Sequence, residues 1–123
     1  MPPDSLGILL ISGGHERAHY AFVLAAGAAA MGRAVVVFAT NEGCRALVPD
    51  PGWDAEEAAV KRKGVATLHT LRDAATELGV RLLACDSGLL LAGLDPTGLL
   101  ADVEVAGVPT FLSAVGPGAI VTL

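Results

Sequence analysis

Cys85 is the residue with the plainest chemical potential. It closes the apolar run VRLLA (residues 80–84) and is followed at once by Asp86-Ser87-Gly88 and a second apolar run, Leu89 to Leu94. A thiol standing where a strand ends and a helix begins lies beside unpaired backbone N–H groups and the positive end of the helix dipole, which favour thiolate, the nucleophilic and sulfur-carrying form. Asp86 acts in the opposite sense, because a neighbouring carboxylate disfavours a second negative charge. The competing reading is structural: a free cysteine after an apolar strand is often a small buried hydrophobe. The other cysteine, Cys44, follows the turn cluster Asn41-Glu42-Gly43. It serves as a resolving thiol only if its Cα comes within about 7 Å of that of Cys85.

His15-Glu16-Arg17-Ala18-His19 matches H-E-x-x-H, in which two histidines one helical turn apart bind zinc and the glutamate activates water. Here the motif opens a helix directly after an apolar strand and Gly13-Gly14, and no third ligand stands at a recognised spacing; His69 or Glu77 fits only ad hoc. Zinc hydrolysis through His15 and His19 is therefore the weaker reading, and no metal or other cofactor is expected. In the alternative, Glu16 complements the helix dipole and the two histidines face solvent or a subunit contact. Gly13-Gly14 reads as a tight turn rather than a phosphate cradle, since neither G-x-G-x-x-G nor a Walker lysine pattern is present. Trp53, the sole tryptophan, is expected to cover the strand ends as a lid or to pack in a subunit interface.

These residues need a scaffold. Leu6 to Ser12 is a short continuous apolar run, as strands buried on both faces read, and from His15 helical spacing takes over until Gly32. Arg33 to Thr40 predicts a second strand, Cys44 to Val48 a helical turn, and Asp54 the cap of a short helix AEEAAVKRK whose acids come first and whose Lys61, Arg62 and Lys63 come last. Val65, Leu68, Leu71 or Arg72, Ala75 and Leu78 form an amphipathic stripe, and Val80 to Ala84 predicts a third strand. Asp95-Pro96 opens a short helix through Leu100, and VEVAG and AIVTL predict two further strands flanking a helical turn at Thr110 to Ala114. Strands alternating with helices predict an α/β fold: a three-layer α/β/α sandwich with a Rossmann-like, mainly parallel five-stranded sheet. In such sheets ligands bind beyond the carboxyl ends of the strands. That rule gathers Ser12, Gly13 and Gly14, then Thr40, Asn41 and Cys44, then Cys85, Asp86 and Ser87 onto one expected rim.

Composition narrows the function classes. The 123 residues suit one domain spanning 1–123, 53% of them are hydrophobic and 17% charged, and the aromatic share of 4% leaves the core to Ala, Leu and Val. A net charge of −5 argues against a nucleic-acid partner, whose phosphates demand clustered Lys and Arg. Tyr20 to Met31 is too short to span a bilayer, and the N-terminus lacks a basic n-region and a long apolar run, so a cytoplasmic protein with reduced thiols is expected. The nearly all-round apolar character of Tyr20 to Met31 predicts a homo-oligomer.

From Lys61 to Val115 the chain resembles the DsrE/DsrF-like family of small sulfur-relay proteins, some of whose members are labelled peroxiredoxin-like. The likeness is carried by a basic patch and Gly, a helix, G-V-x-L-x-A-C, an apolar helix and V-E-V-A-G-V-x-T-F-L. The resemblance implies a three-layer α/β/α fold and assembly into oligomers. It also implies a cysteine, by position Cys85, that takes sulfur as a persulfide from a donor protein and hands it to an acceptor. The alternative is a non-catalytic oligomeric module that binds a small ligand or partner segment at the strand ends.

Overall fold

The structure, a computed structural model, describes residues 4–123; Met1 to Pro3, on which the expectation about the N-terminus partly rests, lie outside them. The elements run β1 (Leu6–Leu10), α1 (His15–Ala30), β2 (Val35–Ala39), a 3-10 segment (Asn41–Leu47), α2 (Asp54–Arg62), α3 (Leu68–Glu77), β3 (Arg81–Cys85) and α4 (Asp86–Ala92). A 3-10 turn (Pro96–Gly98), β4 (Glu104–Ala106), α5 (Val108–Val115) and β5 (Ala119–Thr122) complete the order. All strand pairs are parallel, in the order β4-β3-β2-β1-β5.

Side chains alternate across each strand, so every strand contributes to both faces. Leu6, Ile8, Leu10, Val35, Val37, Ala39, Leu82 and Ala84 share one core cluster with α1 and α3. Val36, Phe38, Leu83 and Cys85 face the other way, onto Phe111, Ala114 and Val115 of α5, where the Phe38 and Phe111 rings stack at 5.0 Å. The α/β/α layering is therefore as the pattern predicts, with a thicker layer on the α1 side.

Several local expectations need correction. The 3-10 segment begins at Asn41, so the turn cluster is its first turn rather than a loop before it. The helix expected from Asp95-Pro96 through Leu100 shrinks to Pro96–Gly98, because Asp95 caps only Thr97 before the chain extends again. The turn at Thr110 to Ala114 grows to Val108–Val115, since Phe111 and Val115 are buried on the sheet and Pro109 suits a first helical turn. In the stripe of α3 the deeply buried residue is Arg72, not Leu71: its guanidinium donates to the carbonyls of Ala46, Val48 and Pro49, which makes the charge tolerable inside. No described helix is long and apolar enough to cross a membrane.

The premise for oligomerisation also moves. Ala18, Ala21, Phe22 and Ala25 of α1 are fully buried within the chain, against the sheet and α3, leaving Tyr20 and Met31 outside. Other exposed large hydrophobics lie on α4 (Leu90, Leu91), β4 (Val105) and α5 (Val108, Leu112), with Ile11, Val65, Leu78 and Ile120 elsewhere. Trp53 is buried in the chain's own core with its ring edge-on to His15 at 5.6 Å, so it is neither a lid over the strand ends nor a subunit contact.

Candidate functional site

Cys85 is both the last residue of β3 and the N-cap of α4, which starts at Asp86, so strand, cysteine and helix start are contiguous. Its side chain lies on the α5 face and the residue is only 5% exposed. Burial alone would push this thiol up. The Ser87 and Thr40 hydroxyls and the amides of Gly88 and Ser87 outweigh it, and the net direction is down, toward thiolate. Ser87 Oγ stands 3.4 Å from the sulfur. Asp86 Oδ1 accepts the Ser87 N–H at 2.8 Å, which occupies that carboxylate at the start of its own helix. Asp86 Oδ1 also lies 4.0 Å from the sulfur.

The ends of β2 and β3 meet closely. Gly88 is buried, and a Cβ there would collide with Thr40 Oγ1 and the Asn41 amide, so only glycine lets α4 lie on the end of β2. Asn41 turns the chain at φ 53, the one positive φ outside glycine among the described residues, and its side-chain oxygen accepts the Thr40 hydroxyl at 3.0 Å. Thr40, Asp86 and Ser87 therefore lie beside Cys85, with Asn41 against Gly88 of the same helix start.

Cys44 differs in kind. It is fully buried in the core cluster on the opposite face of the sheet, and its thiol donates to the Ala39 carbonyl at 3.5 Å. Burial, with repulsion from Cys85 added, pushes it up to about 11, so at neutral pH it is a thiol. Gly43 beside it packs on the Leu10 carbonyl, where a Cβ would strike backbone, and this presses the 3-10 segment into the core.

The remaining rim residues point elsewhere. The Ser12 amide donates to Leu123 and Gly13 packs on Glu42, while Gly14 is the N-cap of α1. Gly14 lines a separate groove of about 470 Å³ with His15, Glu16, His19, Glu56, Ala59 and Val60. His15 is buried rather than solvent-facing, and its Nε2 meets Glu57 Oε2 at 2.9 Å; His19 Nε2 instead donates to the Ala66 carbonyl at 2.8 Å. The two rings stack at 5.6 Å but commit to different partners, and among the described residues no group of three or more His, Cys, Asp or Glu side chains is arranged to hold a metal. The hub of this cluster, Glu57, was not legible in the sequence, where it is one acid among several in a first helical turn. Its carboxylate accepts from His15, from the His69 ring at 2.6 Å and from the Leu68 and His69 amides at 2.9 and 3.0 Å.

Comparison with known proteins adds four likenesses. The profile of the family described as DsrE/DsrF/DrsH-like matches residues 45–121. The protein YrkE of Bacillus subtilis strain 168 is 28% identical in an alignment covering 92% of this chain and 92% of that protein. The solved structure of the ychN protein from E. coli superposes with a TM-score of 0.74 at 12% identity, covering 98% of this chain and 99% of that one. The structure of MTH1491 from Methanobacterium thermoautotrophicum gives a TM-score of 0.58 at 19% identity, covering 98% and 100%. At such identities these two structures establish a common fold.

Proposed function

The chain belongs to the DsrE/DsrF/DrsH-like family, and on that premise we propose that it is a thiol-based sulfur carrier working through Cys85. The observation that carries the reading is the setting of one sulfur at the carboxyl end of β3, where Ser87 Oγ stands 3.4 Å away at the start of α4 and the net direction is toward thiolate. In the loading step the Cys85 thiolate attacks the outer sulfur of a donor persulfide. The donor's S–S bond breaks, its thiolate departs, and the outer sulfur stays on Cys85 as a persulfide. Unloading repeats the exchange: an acceptor thiolate takes the outer sulfur and Cys85 leaves as thiolate in that same setting. No net oxidation occurs in either step. A cytoplasmic setting, which keeps thiols reduced, and donor and acceptor proteins belong to this proposal.

Loading native protein with a small-molecule persulfide, followed by mass analysis of alkylated peptides, tests it. One added sulfur is expected on the Cys85 peptide and none on the Cys44 peptide. Absence of sulfur at Cys85, or equal loading of both cysteines, overturns the proposal.

A related inference is self-association. Leu90 and Leu91 on α4 are 82% and 74% exposed and Leu112 on α5 is 51% exposed, a costly display unless a second copy covers it. Sedimentation should find an oligomer that Leu90→Ser with Leu91→Ser dissociates, whereas a monomeric wild-type chain at micromolar concentration removes the idea.

A further inference from the structure

Helix α2 contains no buried residue, in contrast to every other α-helix of the fold. Its docking rests on Trp53 at its start and on Glu57, whose carboxylate reaches both α1 and the first turn of α3. The chain enters α2 through Pro49, Pro51 and Gly52, and leaves it at Gly64 with φ +74. This excursion is a strap laid along the body, and it forms one wall of the groove shared by His15 and His19.

The histidines holding the strap have different proton requirements. His15 and His19 each place only Nε2 on an acceptor, a need the neutral ring meets with one N–H. His69 places both nitrogens on acceptors: Nδ1 lies 2.6 Å from Glu57 Oε1 and Nε2 lies 3.2 Å from the Pro49 carbonyl. A carbonyl oxygen cannot donate. Glu57, already accepting from His15 and two backbone amides, is ionised and cannot donate either. Both contacts of His69 are satisfied together only by the imidazolium, and the neutral ring must turn a lone pair toward one of the two oxygens.

We propose that His69 is a proton-dependent latch: as imidazolium it clamps both the entry to the strap, at Pro49, and its pin, Glu57, and on losing a proton to solvent it releases one of them and loosens α2. The charged groups around it are few. Glu57 of α2 touches it directly, and Arg72, further along α3, meets it only through the shared Pro49 carbonyl at 3.4 Å. His15 of α1 lies across Glu57, and Asp50 beside Pro49 turns its Oδ1 to the Gly52 amide. Loosening uncovers Trp53 and His15 on the groove side.

Hydrogen exchange of the α2 amides in native full-length protein, corrected for the intrinsic pH dependence of exchange, reads the latch directly. Between about pH 6 and about pH 8.5, opening should increase about tenfold or more, the worth of one hydrogen bond to a charged group. His69→Gln should remove this dependence, His15→Gln should keep it, and Cys85 alkylation should be unchanged in both. Wild-type protection independent of pH, or a His69→Gln slope equal to wild type, overturns the proposal. Should His69→Gln fail to fold, nitrogen-15 spectra of wild-type His69 decide: two protonated ring nitrogens at about pH 6 support the latch, and a neutral tautomer there overturns it.

Discussion

Cys85→Ser abolishes fast alkylation of the native protein at neutral pH, whereas Cys44→Ser leaves the rate unchanged. The asymmetry follows from two environments on opposite faces of one sheet. Cys44 sits at about 11, so about one molecule in ten thousand carries its thiolate at pH 7, and that thiolate is fully buried. Cys85 is held below its usual range because hydroxyl and amide donors outweigh burial. The same account assigns a graded role to the donors. Thr40→Val combined with Ser87→Ala should lower the neutral-pH alkylation rate by about an order of magnitude, since both hydroxyls favour the thiolate and Ser87 Oγ stands 3.4 Å from the sulfur. The midpoint of the rate against pH should move upward. Stopped-flow alkylation across pH measures both quantities; an unmoved midpoint in the double variant would show that the hydroxyls do not set the reactivity of this thiol.

The second large effect is acid destabilisation through Glu57. Burial would raise this carboxyl, but hydrogen bonds from His15, His69 and the amides of His69 and Leu68 bring it down to about 2, from 4.5. Because the folded value lies below the unfolded one, the stabilisation is fully present above about pH 4.5 and is lost as pH falls through about 2. The shift corresponds to about 3 kcal/mol, at a side chain only 12% exposed. Glu57→Gln should therefore cost about that much at neutral pH and flatten the acid limb between those values. Urea unfolding of both proteins at a series of pH values is the measurement. Parallel acid limbs in wild type and variant would remove Glu57 from the account, and with it the pin assigned to α2.

The scaffold was readable because its signals are local. The continuous apolar run of β1 and the β-branched run of β2 need burial on both faces, and a parallel sheet between helices supplies it. The likeness seen from Lys61 to Val115 falls within the matched span of residues 45–121, where glycine, strand, cysteine and helix follow in fixed order. Cys85 could be located because it directly ends an apolar run. What failed were inferences from a residue's own segment about its distant surroundings. The nearly all-round apolar stretch of α1 was read as subunit surface, but its alanines are covered by the sheet and α3; His15, read as facing solvent or a subunit contact, is buried on a carboxylate 42 residues away, and His19 reaches a carbonyl 47 residues away.

Sequence by itself determined the order of the elements, the parallel sheet and the strand end at which a thiol stands, since apolar periodicity and turn residues act over a few positions. Only the tertiary structure decided which thiol is shifted toward thiolate and which acid is the hub. A thiolate depends on which donors surround it, and one of those for Cys85 is Thr40, just past the end of the neighbouring strand β2. The depression of Glu57 depends on α1 and α3 converging on one carboxylate. Electrostatic character is set by neighbours in space, and in a parallel sheet those neighbours arrive only after long crossovers.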